Sequence, residues 1–302
     1  MNYGPIVNQV TILFIIMLIG YIAKKRGTIS KEFTGGLGVL LMDITLPSMI
    51  ITSFNQSFSR QKMMSIFIVF ICSFGIHLVS LILGKFLFKK YTESTKTILK
   101  FGLIFSNCGY MGFPILESIY GKEGVLYGSI YMILFNLFLW TVGVMLFSDK
   151  KELPEVKKIV NNPGIIAVFI GLIIFLFSIR LPDPLYNSID MVGKMTTPLS
   201  MIVIGSMLAD TDFKSIFTEG ATYYGSILRL VVMPAIVLVV LKLFGFSGVM
   251  LGSLVISTAA PAAATTAVFA ERFGGDEAFA SKIIFISTLL SLITMPAIVL
   301  LL

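Results

Sequence analysis

Apolar residues fall in long blocks separated by short polar stretches, and the block lengths set the architecture. A helix crossing a bilayer needs roughly 20 mostly apolar residues. Ten stretches qualify: 5–23, 36–54, 63–88, 97–120, 124–147, 163–179, 185–208, 222–244, 248–269 and 278–302. The pattern predicts an all-α polytopic membrane protein with ten transmembrane helices. A charged connector, 148–162, separates the first five (1–147) from the second five (163–302). The first block has no positive charge before it and is followed by Lys24, Lys25 and Arg26. A cleaved signal peptide has the opposite order, so a retained first helix is expected.

Composition agrees. Hydrophobic residues make up 56% and charged residues 13% of the 302 residues. Soluble domains carry about 25% charged residues, so a soluble enzyme is excluded. The 26 phenylalanines and the apolar runs exclude disorder. The net charge of +7 does not point to nucleic acid, because the basic residues cluster in connectors. Connectors after odd-numbered spans hold Lys24, Lys25, Arg26, Lys31, Lys89, Lys90, Lys96, Lys150, Lys151, Lys157, Lys158, Lys214 and Arg272. The others hold Arg60, Lys62, Lys122, Arg180 and Lys242. Basic loops stay cytoplasmic, so both termini are expected outside the cell membrane. Cys72 and Cys108 lie apart in apolar runs and His77 is the single histidine, so neither a disulfide framework nor a metal site is expected. GGLG (35–38) follows no strand and a Walker sequence is absent, so no nucleotide or other cofactor is called for.

The chain repeats itself. TLPSMIITS (45–53) parallels TTPLSMIVIG (196–205), and Pro47 and Pro198 are 151 residues apart. Gly20 and Gly171, and Ser106 and Ser257, have the same 151-residue spacing. Five spans per repeat is an odd number, so the second repeat enters from the opposite side. Inverted repeats are typical of alternating-access carriers.

Spans four and nine carry breakers. Span four holds Gly102, Gly109, Gly112 and Pro114 around Asn107, and a break is expected between Asn107 and Pro114. Span nine holds Pro261 among small and hydroxylated residues, with a break expected around 258–262. A broken helix exposes an N-terminus with unpaired N–H groups and about +0.5 elementary charge. Two such ends meeting at mid-membrane would bind an anion without a fixed cation. The candidate substrate-binding set is Asn107, Gly109, Pro114, Thr258, Pro261, Thr265 and Thr266, with the amide of Asn107 and the threonine hydroxyls as added donors.

NCGYMGFP (107–114), PAAATT (261–266) and LPSMI (46–50) together resemble the bacterial branch of the auxin efflux carrier family. That family also covers malonate and malate carriers and belongs with the bile acid/sodium symporter-like superfamily. The resemblance covers essentially the whole chain. It implies two inverted five-helix repeats with crossed, proline-broken fourth and ninth helices that bind an organic carboxylate. It also implies a dimerising scaffold from spans 1, 2, 6 and 7, beside a mobile transport domain. The chain departs at Cys108, where Thr is more usual, and at Asp43, where Asn is common. The long cytoplasmic loop of the plant proteins is absent.

Three charges in or near spans are candidate coupling or charge partners. Asp43 lies deep in span two, where a charge costs roughly 2.5–3.5 kcal/mol on insertion scales and needs a partner. Its readings are a protonated acid, a pair with Lys194 or Arg229, or ion coupling. Lys194 is four residues from Asp190 and has that acid as a local partner. Arg229 either attracts a carboxylate or pins scaffold to transport domain. Glu117, one turn past Pro114, reads either as a group near the outer mouth or as a snorkelling or capped side chain, and His77 reads as a satisfied core residue rather than a proton relay.

The leading expectation is a secondary carrier for a small organic anion, working by elevator-type alternating access. The coupling stays open between a proton, Na⁺ and the membrane potential. A dicarboxylate uptake carrier, such as one for malate or malonate, is the close alternative. A ligand-binding sensor on a transporter fold is the distant one. An intramembrane enzyme lacks a nucleophile–base pair or metal cluster.

Overall fold

The structure is a computed structural model that describes residues 4–147, 156–209 and 219–302. The basic residues Lys150, Lys151 and Lys214 and most of the charged connector lie outside the described residues. The described chain is helical: α1 Gly4–Lys25, α2 Lys31–Ser53, α3 Arg60–Leu87, α4 Glu93–Ile104, α5 Cys108–Phe147, α6 Val156–Val160, α7 Pro163–Leu176, α8 Asp183–Ala209, α9 Gly220–Leu243, α10 Gly248–Ala259, α11 Thr265–Arg272 and α12 Glu277–Val299. Among the described residues six of these, α2, α3, α5, α8, α9 and α12, are long and apolar enough to cross a membrane. α7 and α10 are shorter apolar helices. α5 has 40 residues, about 60 Å if straight and twice a hydrocarbon core. It is broken at Gly121, whose φ of 58° only glycine adopts easily. That turn falls between the expected fourth and fifth spans.

Large apolar side chains face outward on several helices. Ile15, Leu18 and Ile19 of α1, Met64, Phe67 and Ile71 of α3, and Phe169 and Ile173 of α7 are all more than half exposed. Water would not tolerate such a belt, whereas lipid does. The interior is organised in two groups of contacts. α1 packs along Thr196–Ala209, and Leu46–Ser53 packs against α7 and Asp183–Lys194. α5 packs against α3 and α10, while α12 packs against α9, α10 and α11. The α1–α8 contact is backbone to backbone. A Cβ on Gly205 would lie 1.9 Å from the Met17 carbonyl oxygen, so only glycine fits.

Prolines account for most of a second feature. Among the described residues widened, π-type turns occupy Leu41–Thr45, Cys108–Gly112, Leu139–Gly143 and Leu228–Val232. All but Leu139–Gly143 end two residues before a proline: Pro47, Pro114 and Pro234. A proline inside a helix removes one i→i−4 bond and collides with the preceding turn. The extra residue of a π turn shifts the ladder, so the chain continues as helix rather than breaking.

This corrects one expectation. The interruption in span four is not between Asn107 and Pro114. It lies at 105–107, between α4 and α5, and Pro114 sits within continuing helix. The second interruption occupies 260–264, between α10 and α11, slightly later than the expected 258–262.

Candidate functional site

The two interruptions pair with each other. Ser106 and Ala262 form an isolated antiparallel bridge. The Asn107 N–H donates to the Pro261 carbonyl at 2.7 Å, and the Ala263 N–H donates to the Phe105 carbonyl at 3.0 Å. The Ala262 N–H donates to Ser287 Oγ of α12 at 3.1 Å. Pro261 needs no donor there, because its nitrogen carries no hydrogen. Ala260 is extended (ψ 147°), the conformation a following proline enforces. Two pairs of the backbone groups freed by the breaks thus satisfy each other across the crossing, and a third amide is met by a side chain, in the way the interior of a bilayer favours.

Four helix ends meet here. The C-termini of α4 and α10 enter the ribbon, and the N-termini of α5 and α11 leave it. Asn107 caps α5, its Oδ1 accepting from the Tyr110 N–H at 3.4 Å. Its Nδ2 makes no hydrogen bond among the described residues, and the residue is 9% exposed. Gly109 follows in the first turn, where a Cβ would stand 3.5 Å from the Met42 methyl. Thr265 begins α11, half-buried, with Oγ1 lacking a partner among the described residues. The Thr266 hydroxyl is spent on the Ala263 carbonyl at 2.7 Å. In these first turns the Tyr110 amide is taken by Asn107 Oδ1 and the Thr266 amide by the Ala263 carbonyl at 3.0 Å, while the amides ahead of them, on Cys108, Gly109 and Thr265, make no hydrogen bond among the described residues.

Asn107, Gly109, Pro261, Thr265 and Thr266 therefore gather around the crossing. Thr258 does not join the N-terminal donors. It ends its own half-helix on the C-terminal side, bonds Leu254 O at 2.8 Å, and is fully buried near Tyr131. Pro114 shapes the π turn over Cys108–Gly112 and has no donor to offer.

The charged candidates separate. Arg229 is buried behind the ribbon, with Nη1 donating to Leu103 O at 2.8 Å and Nε to Ala260 O at 3.1 Å. Asp43 is exposed in its π turn, near Tyr110, and pairs with neither Lys194 nor Arg229 among the described residues. Lys194 is largely exposed and bridges to Asp190 at 2.7 Å. Asp190 also holds Lys122 at 2.8 Å, and Glu117 accepts from the Thr197 hydroxyl. His77 is only half satisfied: Nδ1 meets Ser73 O at 2.8 Å, Nε2 has no partner among the described residues, and the ring lies between Tyr131 and Phe138.

Residues not anticipated are Tyr131, Ser287 and the paired carbonyls of Leu103 and Ala260. Nothing local marks Ser287, which lies 25 residues from the amide it serves. Ser106 was visible only as a repeat match.

The description "Membrane transport protein" belongs to a family model that matches residues 5–158 and 154–299. The chain belongs to that family. It is the auxin efflux carrier family anticipated from 107–114 and 261–266. An uncharacterized transporter of Methanocaldococcus jannaschii is 23% identical over 296 residues, 95% of each chain. The uncharacterized transporter YfdV of Escherichia coli is 23% identical over 282 residues, 86% of each chain. A Rhizobium meliloti protein named "Putative malonate transporter" is 23% identical over 310 residues, covering 96% of this chain and 94% of that one. The protein is a membrane transporter of this family.

Proposed function

We propose that the protein is a secondary carrier moving a small organic carboxylate across the cell membrane by elevator-type alternating access. The observation that carries this reading is the convergence of the α5 and α11 N-termini at the Asn107–Pro261 crossing. Each end offers free amides and a partial positive charge to an anion. Asn107 Nδ2 and Thr265 Oγ1 are the unspent side-chain donors beside them. The name of the Rhizobium meliloti relative supports an organic anion.

Ten spans in two inverted five-helix repeats (1–147 and 163–302) give the frame. α4 with the start of α5 forms the fourth span, and α10 with α11 the ninth. Spans 1, 2, 6 and 7 form the scaffold, through which two copies dimerise, and the remaining spans form the moving body. The two contact groups of the fold support this division. Both termini face outside.

The test uses proteoliposomes on a solid-supported membrane, challenged with acetate, malonate and malate under proton, Na⁺ or no gradient. A carboxylate-specific signal lost in Asn107→Ala is expected. The gradient that enlarges it names the coupling ion. Currents and isotope exchange both absent across the panel would overturn the reading.

A further inference from the structure

Among the described residues Arg229 is the one charged side chain that is fully buried. An ionised group at membrane depth persists only with a counter-charge. No carboxylate forms an ion pair with it among the described residues. Its partners are two backbone carbonyls, Leu103 O and Ala260 O. Their positions are informative. Leu103 is in the last turn of α4, and Ala260 directly follows α10. Each helix C-terminus carries about −0.5 elementary charge, so the two ends together match one guanidinium. A planar fork with divergent N–H groups can serve both at once, which an ammonium does poorly.

The surrounding structure aims this side chain. Arg229 lies in the π turn Leu228–Val232 that precedes Pro234. Tyr131 and Cys108 lie close enough to feel its charge, and Nη2 has no hydrogen-bond partner among the described residues.

We propose that Arg229 is a positioning residue of the transport site, the shared counter-charge that clamps the C-termini of α4 and α10. By holding those ends together it fixes the ribbon, and through the ribbon the two N-termini that face the anion. Arg229 itself contacts no substrate. The proposal rests on the carboxylate reading for its functional half alone; the clamp can be judged without any ligand.

Hydrogen exchange on the purified full chain in nanodiscs tests the clamp. The reporters are the Asn107 and Ala263 amides, which donate across the ribbon. In Arg229→Met their protection is expected to fall by about tenfold or more, with α1 and Thr196–Ala209 unchanged. Arg229→Lys keeps the charge but not the fork, and should lie between the two. If Arg229→Met does not fold, Arg229→Gln, which keeps a donor but drops the charge, decides: wild-type protection in it overturns the clamp. Wild-type protection in a folded Arg229→Met does the same. Counterflow of radiolabelled malonate, malate and acetate tests the functional half. KM should rise by about tenfold in Arg229→Met, with a smaller fall in maximal rate, and recover partly in Arg229→Lys. Unchanged KM with lost protection overturns the link to the site. A wild-type protein silent with all three probes would sink the carboxylate reading, and the exchange result would still stand.

Discussion

Asn107 combines two roles in one residue. Its backbone N–H ties α5 to Pro261 across the crossing, and its side chain caps the helix it begins. Alanine keeps the first bond and loses the second. A lost cap costs about 0.5–2 kcal/mol, so Asn107→Ala should fold, with a lower melting temperature and transport reduced by about tenfold or more. Aspartate would keep the cap acceptor but place a negative charge where an anion binds, so Asn107→Asp should melt near the wild type yet fail to transport. A transporting Asn107→Asp would argue against an anion there. At the other extreme, Lys194→Ala removes an exposed ion pair and should change stability by less than about 1 kcal/mol with transport kept.

Elements show how the breaks are placed. The all-helical, membrane-spanning character was legible, because apolar runs of bilayer length leave few alternatives. The second interruption was legible too, because Pro261 marks it locally. The first was misplaced. Gly109, Gly112 and Pro114 read as breakers, yet the chain absorbs them in a π turn and breaks earlier, at 105–107. What decides that position is pairing with 261–263, a long-range contact no local pattern contains. Arg229 was harder still: one of its carbonyl partners lies 126 residues away, and carbonyls leave no mark in a sequence. Asp43 was read as a deep charge needing a partner, but its face of α2 points outward. Pro114→Ala would let the π turn relax to an ordinary helix, turning the preceding residues by about 100° per residue removed from the bulge. Carboxylate affinity should fall while helix content by circular dichroism stays constant. Unchanged affinity would mean that the π turn does not set the Asn107 geometry.

At the scale of the molecule, two groups of helices meet along polar contacts. Lys122 and Glu117 of α5 reach Asp190 and Thr197 of α8. In the proposed cycle these groups move against each other, so these contacts must break. A cleavable bis-thiol cross-linker joining Lys122→Cys and Asp190→Cys should therefore arrest transport reversibly, with cleavage restoring it. Full activity in the cross-linked pair would contradict an elevator. The close α1–α8 packing belongs to one group and would stay intact in the proposed cycle. Gly205→Val should abolish folded protein there, since a Cβ at that position collides with the Met17 carbonyl.

In the proposed mechanism the paired helix N-termini at Asn107 and Ala264 carry a carboxylate across the membrane. Radiolabelled counterflow in proteoliposomes is the decisive measurement, because exchange is seen whether or not net charge moves. Wild-type protein preloaded with unlabelled malonate, malate or acetate should accumulate the matching label, and Asn107→Ala should accumulate about a tenth as much or less. Equal accumulation by the wild type and Asn107→Ala would remove the crossing from the transport path.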